Sequence, residues 1–342
     1  MQLLSCALLV VSWTLTSALQ FHGADISSLL VVEGQGVRYT DGGAQKPFET
    51  ILASHGANIA RIRVWTAGDY TLAKGLQLAK RAKAAGMALL IDLHYSDTWA
   101  DPGHQSIPAS WPTDLAGLNT QIYTYTKDLV TSFSSQGTPI DYIEIGNEIN
   151  DGLLWPVGRI SVNGFHPASE LLHSAISGVR AASTTTKTVI HIANGWDSSG
   201  VNYFYDGIFV AGALSTSDVD VMGFSFYPFY GTGATLNNLK STLTGMVNTF
   251  NKPIMVVETD WPESCSSVAL SEPSIPVSAS GQSTWVKDIE NVLSGLPNSR
   301  GIGISYWEPG WIGNAGLGSS CSDALLVNSN GSTRSSIGIF AS

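Results

Sequence analysis

Residues 72–95 read LAKGLQLAKRAKAAGMALLIDLHY. The first part places Leu72, Leu76 and Leu78 among lysines and an arginine, a helical pattern over Leu72–Ala85 for which Gly86 supplies the C-terminal stop. The second part, Met87–Tyr95, switches to a short apolar run with its polar residues, Asp92 and His94, near its end. A strand of this kind, apolar on both faces, belongs in a sheet covered on both sides.

The same alternation runs through the chain. Strands are predicted at Phe21–Ile26, Asn58–Trp65, Met87–Tyr95, Asp141–Glu148, Thr188–Asn194, Val219–Tyr227, Pro253–Asp260 and Gly301–Trp307. Helical patterns lie between them at Pro47–Ser54, Leu118–Gln136 and Thr235–Phe250, at Ser283–Leu293, and from about Pro167 to Ala182. Eight strands, each followed by a crossover, predict an α/β fold, a single (β/α)8 TIM barrel. A doubly wound sheet would want a glycine-rich phosphate loop after an early strand, and Gly34-Gln35-Gly36 is better explained as a turn. The Ser/Pro-rich segment 264–283 sits between the seventh strand and a helix, so it is read as an ordered loop, and residues 18–342 as one domain.

Composition narrows the partners. The chain holds 17 basic against 27 acidic residues, a net charge of −10, which argues against nucleic acid and is indifferent to a neutral polymer. Residues 1–17 are apolar and uncharged, and are read as a secretory signal peptide cleaved near Ser17 or Ala18. Ser12, Thr14 and Thr16 make that run too short and polar to span a membrane, and no later stretch is long enough. The expectation is a secreted, extracellular chain with no membrane partner, and nothing indicates an oligomer, so a monomer is expected. Cys6 falls in the leader; Cys265 and Cys321 remain, and in an oxidising compartment they suggest one disulfide, with two free thiols as the alternative. Asn330-Gly331-Ser332 is the one N-glycosylation sequon.

The chemistry gathers at the strand ends. Arg61 and Arg63, Asp92 and His94, Asn147 and Glu148, His191 and Asn194, Ser225 and Tyr227, Glu258 and Asp260, and Trp307 and Glu308 close seven successive strands. In a barrel those ends meet on one face, where active sites are built. Glu148 after Ile145-Gly146-Asn147 and Glu258 after Met255-Val256-Val257 each put a carboxylate at the end of an apolar strand. Glycosidic cleavage needs such a pair, one to protonate the leaving oxygen and one to attack or stabilise the anomeric carbon. An ion pair with Arg61 or Arg63 is the plain alternative for either glutamate, and Glu144, deeper on the same face, suits that role better. Trp99, Trp111, Trp155, Trp196, Trp261, Trp307 and Trp311 mostly occupy loops after strands, where indole can stack on the C–H faces of sugars or merely fill gaps. Trp307 is the strongest stacking candidate, and 96–117 a candidate cleft wall. The histidines show no HxH or HExxH spacing and no GxSxG is present, so metal-dependent and serine hydrolases fit poorly.

IGNE at 145–148 and VVETDWP at 256–262 resemble the barrel glycosidases with acid/base and nucleophile on strands four and seven. GADISSLL at 23–30, ARIRVW at 60–65, IDLHYSDTWADPGHQSIPASWP at 91–112 and GISYWEPGWI at 303–312 are similar to glycoside hydrolase family 53, the endo-β-1,4-galactanases, from about His22 to the C-terminus. The resemblance implies Glu148 as acid/base and Glu258 as nucleophile of a retaining endo-hydrolase of β-1,4-galactan, the (arabino)galactan side chains of pectin. Some bacterial members bind calcium after strand seven; here Cys265 and Cys321 occupy that loop and the next, so a disulfide is expected in place of the ion, with no metal and no cofactor. Arg63, Asp92, His94, Trp99, Asn147, His191, Asn194, Tyr227 and Trp307 are the expected substrate-binding residues. Arg63 and Tyr227 are expected to hold Glu258 ionised, and Asn147 to bind the sugar 2-hydroxyl.

Overall fold

A computed structural model describes residues 19–341. The leader expected over residues 1–17, with Cys6, lies outside the described residues. Eight parallel strands close a barrel: β1 Phe21–Asp25, β2 Ile59–Val64, β3 Ala88–Leu93, β4 Tyr142–Ile145, β5 Lys187–Ile192, β6 Val221–Ser225, β7 Ile254–Thr259 and β8 Gly301–Tyr306. Their order around the barrel is the chain order, with β8 pairing back onto β1 at Phe21↔Gly303. No helix among the described residues is long and apolar enough to cross a membrane.

β2 shows why these sequences make barrel staves. Ala60, Ile62 and Val64 join the large cluster between sheet and helices, while Ile59 joins a second cluster with Phe21, Leu90, Val189, Val221, Met255 and Val257. That second cluster plugs the barrel interior near the strand starts. Further along the same inward face stand Arg61 and Arg63, so the interior passes from an apolar floor to a charged layer and then to the mouth.

The helices are α1 Leu29–Gly34, α2 Phe48–Ser54, α3 Leu72–Ala84, α4 Leu115–Ser135, α5 Ile160–Asn163, α6 Phe165–Ala182, α7 Ser198–Ile208, α8 Leu236–Phe250 and α9 Ala279–Ser294. Two begin earlier than their apolar pattern suggests because caps precede it: Asp114 accepts from the Gly117 N–H at 2.9 Å, and Ser278 from the Gly281 N–H at 3.2 Å. The sequence reading places no helix between β5 and β6, where α7 stands. Its signal was present: Val201, Phe204, Tyr205 and Ile208 are buried at i, i+3, i+4 and i+7, and the Asp197 side chain caps its start. Gly200, Gly207 and the serine pair obscured it.

Segment 264–278 is irregular but anchored. Ser264 bridges to Asp323, and Cys265 is disulfide-bonded to Cys321, joining the loops after β7 and β8. Cys321 is buried with Tyr227 and Phe229, and Cys265 and Trp307 pack against them. The crosslink thus backs one wall of the barrel mouth. Asn330 is exposed on the C-terminal segment.

Candidate active site

Strand ends at the mouth turn sharply. Tyr95, Glu148, Asn194 and Glu308, each just past β3, β4, β5 and β8, hold φ between 44° and 59°. Non-glycine residues rarely adopt this left-handed conformation, and it concentrates where structure fixes a functional side chain. Gly146 at φ 90° starts the β4 turn; a Cβ there would lie 2.6 Å from Ile149 Cγ2, so only glycine fits.

Glu258 reaches the mouth through a break in strand register. Val257 belongs to the interior cluster, and strict alternation would send its neighbour outward. The β6–β7 pairing shifts between Phe224↔Val256 and Ser225↔Glu258, a bulge that turns Glu258 inward as well. Its Oε1 meets Arg61 Nη1 at 2.8 Å and its Oε2 accepts from the Tyr227 hydroxyl at 2.9 Å. Burial, then Glu258 itself, pushes the Tyr227 phenol well above its ordinary range, so it remains a donor.

Arg61 is the hub of the charged layer and is itself buried. Nε and Nη2 clasp the two oxygens of Glu144 at 2.8 and 2.9 Å, Nη1 donates to Asp25 at 2.9 Å, and Nη2 donates to Asn147 Oδ1 at 3.0 Å. Asp92 Oδ2 stands 3.1 Å from Nη2 and 2.9 Å from His94 Nε2. Burial opposes the charge on Asp92, yet Arg61 and His94 outweigh it and its pKa is lowered. Asp92, Glu144 and His191 bring their ligand atoms within 4.8 Å of one another, but the cation they surround is the guanidinium.

Glu148 stands across from this hub, partly open to the mouth. One carboxylate oxygen of Glu148, one of Glu258 and a ring nitrogen of His191 lie within 4.8 Å of one another. Burial, then the Glu258 charge, pushes Glu148 up to about 7. Its Oε1 accepts from Ser225 Oγ at 2.6 Å; Ser225 Oγ is 2.8 Å from His191 Nε2, and His191 Nδ1 is 2.9 Å from Glu144 Oε2.

A cavity of about 280 Å³ opens above the pair. Of the residues expected at the site, Arg63, His94, Trp99, Asn147, Glu148, Tyr227, Glu258 and Trp307 line it. Asp92 and His191 do not: both are fully buried beneath its floor and contact Arg61, His94, Glu144 and Ser225 instead of the opening. Asn194 lies at the turn after β5, outside the lining.

One expected partner is corrected. Arg63 does not touch Glu258; Arg61 does. Arg63 Nη1 faces Glu308 Oε1 at 2.6 Å off the hydrogen-bonding line, and Nη2 donates to Ser28 at 2.7 Å. Its guanidinium packs 4.0 Å from the Tyr70 ring, 4.5 Å from Trp99 and 5.2 Å from Trp311. This clamp holds an aromatic wall in which Trp99 and Trp311 stack at 6.2 Å and Trp307 meets Trp99 edge-on. Of the other candidate tryptophans, Trp111 and Trp261 are buried in packing, and Trp155 stacks on Arg159. Asp101, Phe229, Tyr230 and Trp311 also line the cavity. Trp311 was legible as one of several loop tryptophans; Phe229 and Tyr230 carried no signal beyond following the sixth strand.

A closed eight-stranded barrel with two glutamates from β4 and β7 facing each other under an aromatic-walled mouth has the architecture of a barrel glycoside hydrolase. The model of glycosyl hydrolase family 53 matches residues 21–340, and the chain belongs to that family. It is 44% identical to an arabinogalactan endo-beta-1,4-galactanase of Humicola insolens, over 94% of this chain and 99% of that one. It is 46% identical to the Thermothelomyces thermophilus protein of the same name, with the same coverage. A solved fungal beta-1,4-galactanase superposes with a TM-score of 0.92 at 44% identity, covering 94% of this chain and 99% of that chain. The family 53 catalytic domain of Ignisphaera aggregans does so with 0.84 at 27% identity, covering 94% and 95%.

Proposed function

We propose that the chain is a secreted arabinogalactan endo-β-1,4-galactanase that retains anomeric configuration, with Glu148 as acid/base and Glu258 as nucleophile. The observation that carries this reading is the Glu148–Glu258 pair. One oxygen of each lies within 4.8 Å of the other, an approach that supports the roughly 5–5.5 Å carboxyl separation of retaining enzymes over the 6.5–9.5 Å of inverting ones. Glu148, raised to about 7, can carry a proton near neutrality. Glu258 is oriented by the Arg61 guanidinium against one oxygen and the Tyr227 hydroxyl donating to the other.

In the first step a Glu258 oxygen attacks the anomeric carbon while Glu148 gives its proton to the departing glycosidic oxygen. In the second, Glu148 takes a proton from water, the water oxygen bonds to the anomeric carbon, and the Glu258 ester breaks. Tyr227 fixes the nucleophile. Asn147 uses Oδ1 on Arg61 and one Nδ2 proton on Ala100 O at 2.7 Å, leaving its second Nδ2 proton for the 2-hydroxyl. Trp99, Trp307 and Trp311 offer indole faces to neighbouring galactosyl units. Arg63 and His94 complete the wall.

The activities named for the 44–46% identical relatives support β-1,4-linked galactan of arabinogalactan as the substrate, and we take that galactan to be the side chains of pectin. The uncharged leader supports secretion, residues 18–342 being the mature catalytic domain; exposed Asn330 is proposed to be glycosylated, and the enzyme to act as a monomer. Reducing-end release from galactan, arabinan, mannan and cellulose tests the reading. The expected result is turnover of galactan with internal cuts and a first-formed β-anomer. Preference for mannan or cellulose, or a first-formed α-anomer, would overturn it.

A further inference from the structure

We propose that Glu144, His191 and Ser225 form a positioning relay that places one directed hydrogen bond on Glu148 Oε1, so that the transferable proton of Glu148 resides on Oε2. This rests on the proposed acid/base role of Glu148.

Ser225 is buried and has one hydroxyl proton for two neighbours, Glu148 Oε1 at 2.6 Å and His191 Nε2 at 2.8 Å. What decides its direction is the far end of the chain. Glu144 is fully buried, and both its oxygens are clasped by Arg61. One of those oxygens stands 2.9 Å from His191 Nδ1, off the hydrogen-bonding line but so close that a buried carboxylate facing a bare ring nitrogen would be resisted, so Nδ1 carries a proton. If Nε2 were bare, Ser225 would point at the histidine, and Glu148 would have to donate its own proton to Ser225, away from the cavity. If Nε2 is protonated, Ser225 accepts from the ring and donates to Oε1, and the acid proton is free on Oε2.

The surroundings favour the second arrangement. Burial disfavours a charged His191, but Glu144 and then Glu258 outweigh it despite Arg61, and its pKa is raised. The groups facing Glu148 are Glu258 from β7, His191 from β5, Ser225 from β6, Asp101 from the loop after β3, and Tyr227 and Tyr230 beyond β6. Ser225 is the hydrogen-bond donor among them to its carboxylate. When Glu148 gives up the Oε2 proton, the charge that appears meets a hydrogen bond already in place.

The test is the pH dependence of kcat/KM on galactan for wild type, Ser225→Ala and Ser225→Thr, with nitrogen-15 NMR of the histidine rings in the resting enzyme. Loss of the donor disfavours the Glu148 carboxylate, so the alkaline limb of Ser225→Ala should move up by roughly one pH unit. Ser225→Thr should restore it. A role in packing alone would lower the rate and leave the limb in place. In wild type at pH 6 both His191 nitrogens should be protonated, with the Nε2–H signal displaced in Ser225→Ala. An alkaline limb unmoved in Ser225→Ala, or a bare His191 Nε2 in wild type, overturns the relay. If wild type leaves galactan uncut, the proposed function fails instead, and the NMR result still decides how the relay is protonated.

Discussion

Replacing Glu258 by Gln should lower the pKa of Glu148 by about one unit, and the size of that change follows from the site. Glu148 rises from an ordinary 4.5 to about 7, with burial the larger cause and the Glu258 charge the second. Two charges 4.8 Å apart, the outer bound on their oxygens, would repel by about 3.5 kcal/mol at an effective dielectric of 20, or about 2.5 pH units. That alone would equal the net elevation, in which burial and Glu258 push upward against His191 and Ser225. At an effective dielectric of about 45, which suits a carboxyl partly open to solvent, the Glu258 charge contributes roughly one unit. Carbon-13 NMR of side-chain-labelled glutamate, assigned with Glu148→Gln, would follow the titration in wild type and in Glu258→Gln. A Glu148 pKa unchanged by Glu258→Gln would refute the reasoning, because the pair would then not be coupled. The amide also imitates the uncharged ester of the glycosyl-enzyme. The same downward shift would turn Glu148 from acid to base between the two steps.

Glu148→Ala should slow galactan hydrolysis by about 10²–10⁴-fold, while the first step on a dinitrophenyl galactoside, whose departure needs no acid, stays near wild type; stopped-flow release of the phenol compares them. Trp99→Ala should raise KM for galactan about tenfold, the equivalent of about 1.4 kcal/mol of stacking, with kcat little changed in steady-state kinetics. Asp260 is buried, its Oδ1 lacks a partner, and burial, then Glu258, pushes its pKa well above the ordinary range. A carboxyl raised in the folded state binds its proton more tightly there than in the unfolded chain, so it opposes folding as pH rises above about 3.9. Asp260→Asn should therefore gain stability over wild type at pH 7 more than at pH 4, as read from urea midpoints; equal differences at both pH values would contradict that account.

Much of the fold was legible because a barrel stave is buried on both faces and its helix ends in a stop. Seven of the strand ends could be named as a site since barrel closure brings them together whatever the loops do. The substrate wall was less legible. A tryptophan in a loop after a strand reads the same whether it fills a gap, like Trp111 and Trp261, or lines the mouth, like Trp99 and Trp311. Only loop conformation separates them, and it depends on contacts such as the Arg63 clamp that join β2 to the loops after β3 and β8. The helix α7 was obscured for a different reason: glycines and serines lowered its local propensity while its buried face kept the period.

The exchange of Arg61 for Arg63 as the partner of Glu258 has a geometric cause. Residues two apart share a face and stand about 6.6 Å apart along a strand, a distance an extended arginine side chain can cover. Alternation therefore identifies two arginines on the inward face but not which one meets Glu258. What decides it is the neighbouring strands. Asp25 pairs in register with Arg61, and the segment just after β1 supplies Ser28, which with Glu308 captures Arg63 at the β8 edge. Arg61 is left to reach Glu144, Asp92 and Glu258 from one layer down. That depth has a mechanistic consequence: the cation balancing the pair of catalytic candidates is buried and already held by Asp25 and Glu144. It is fixed before any sugar enters, and its orientation does not wait on substrate.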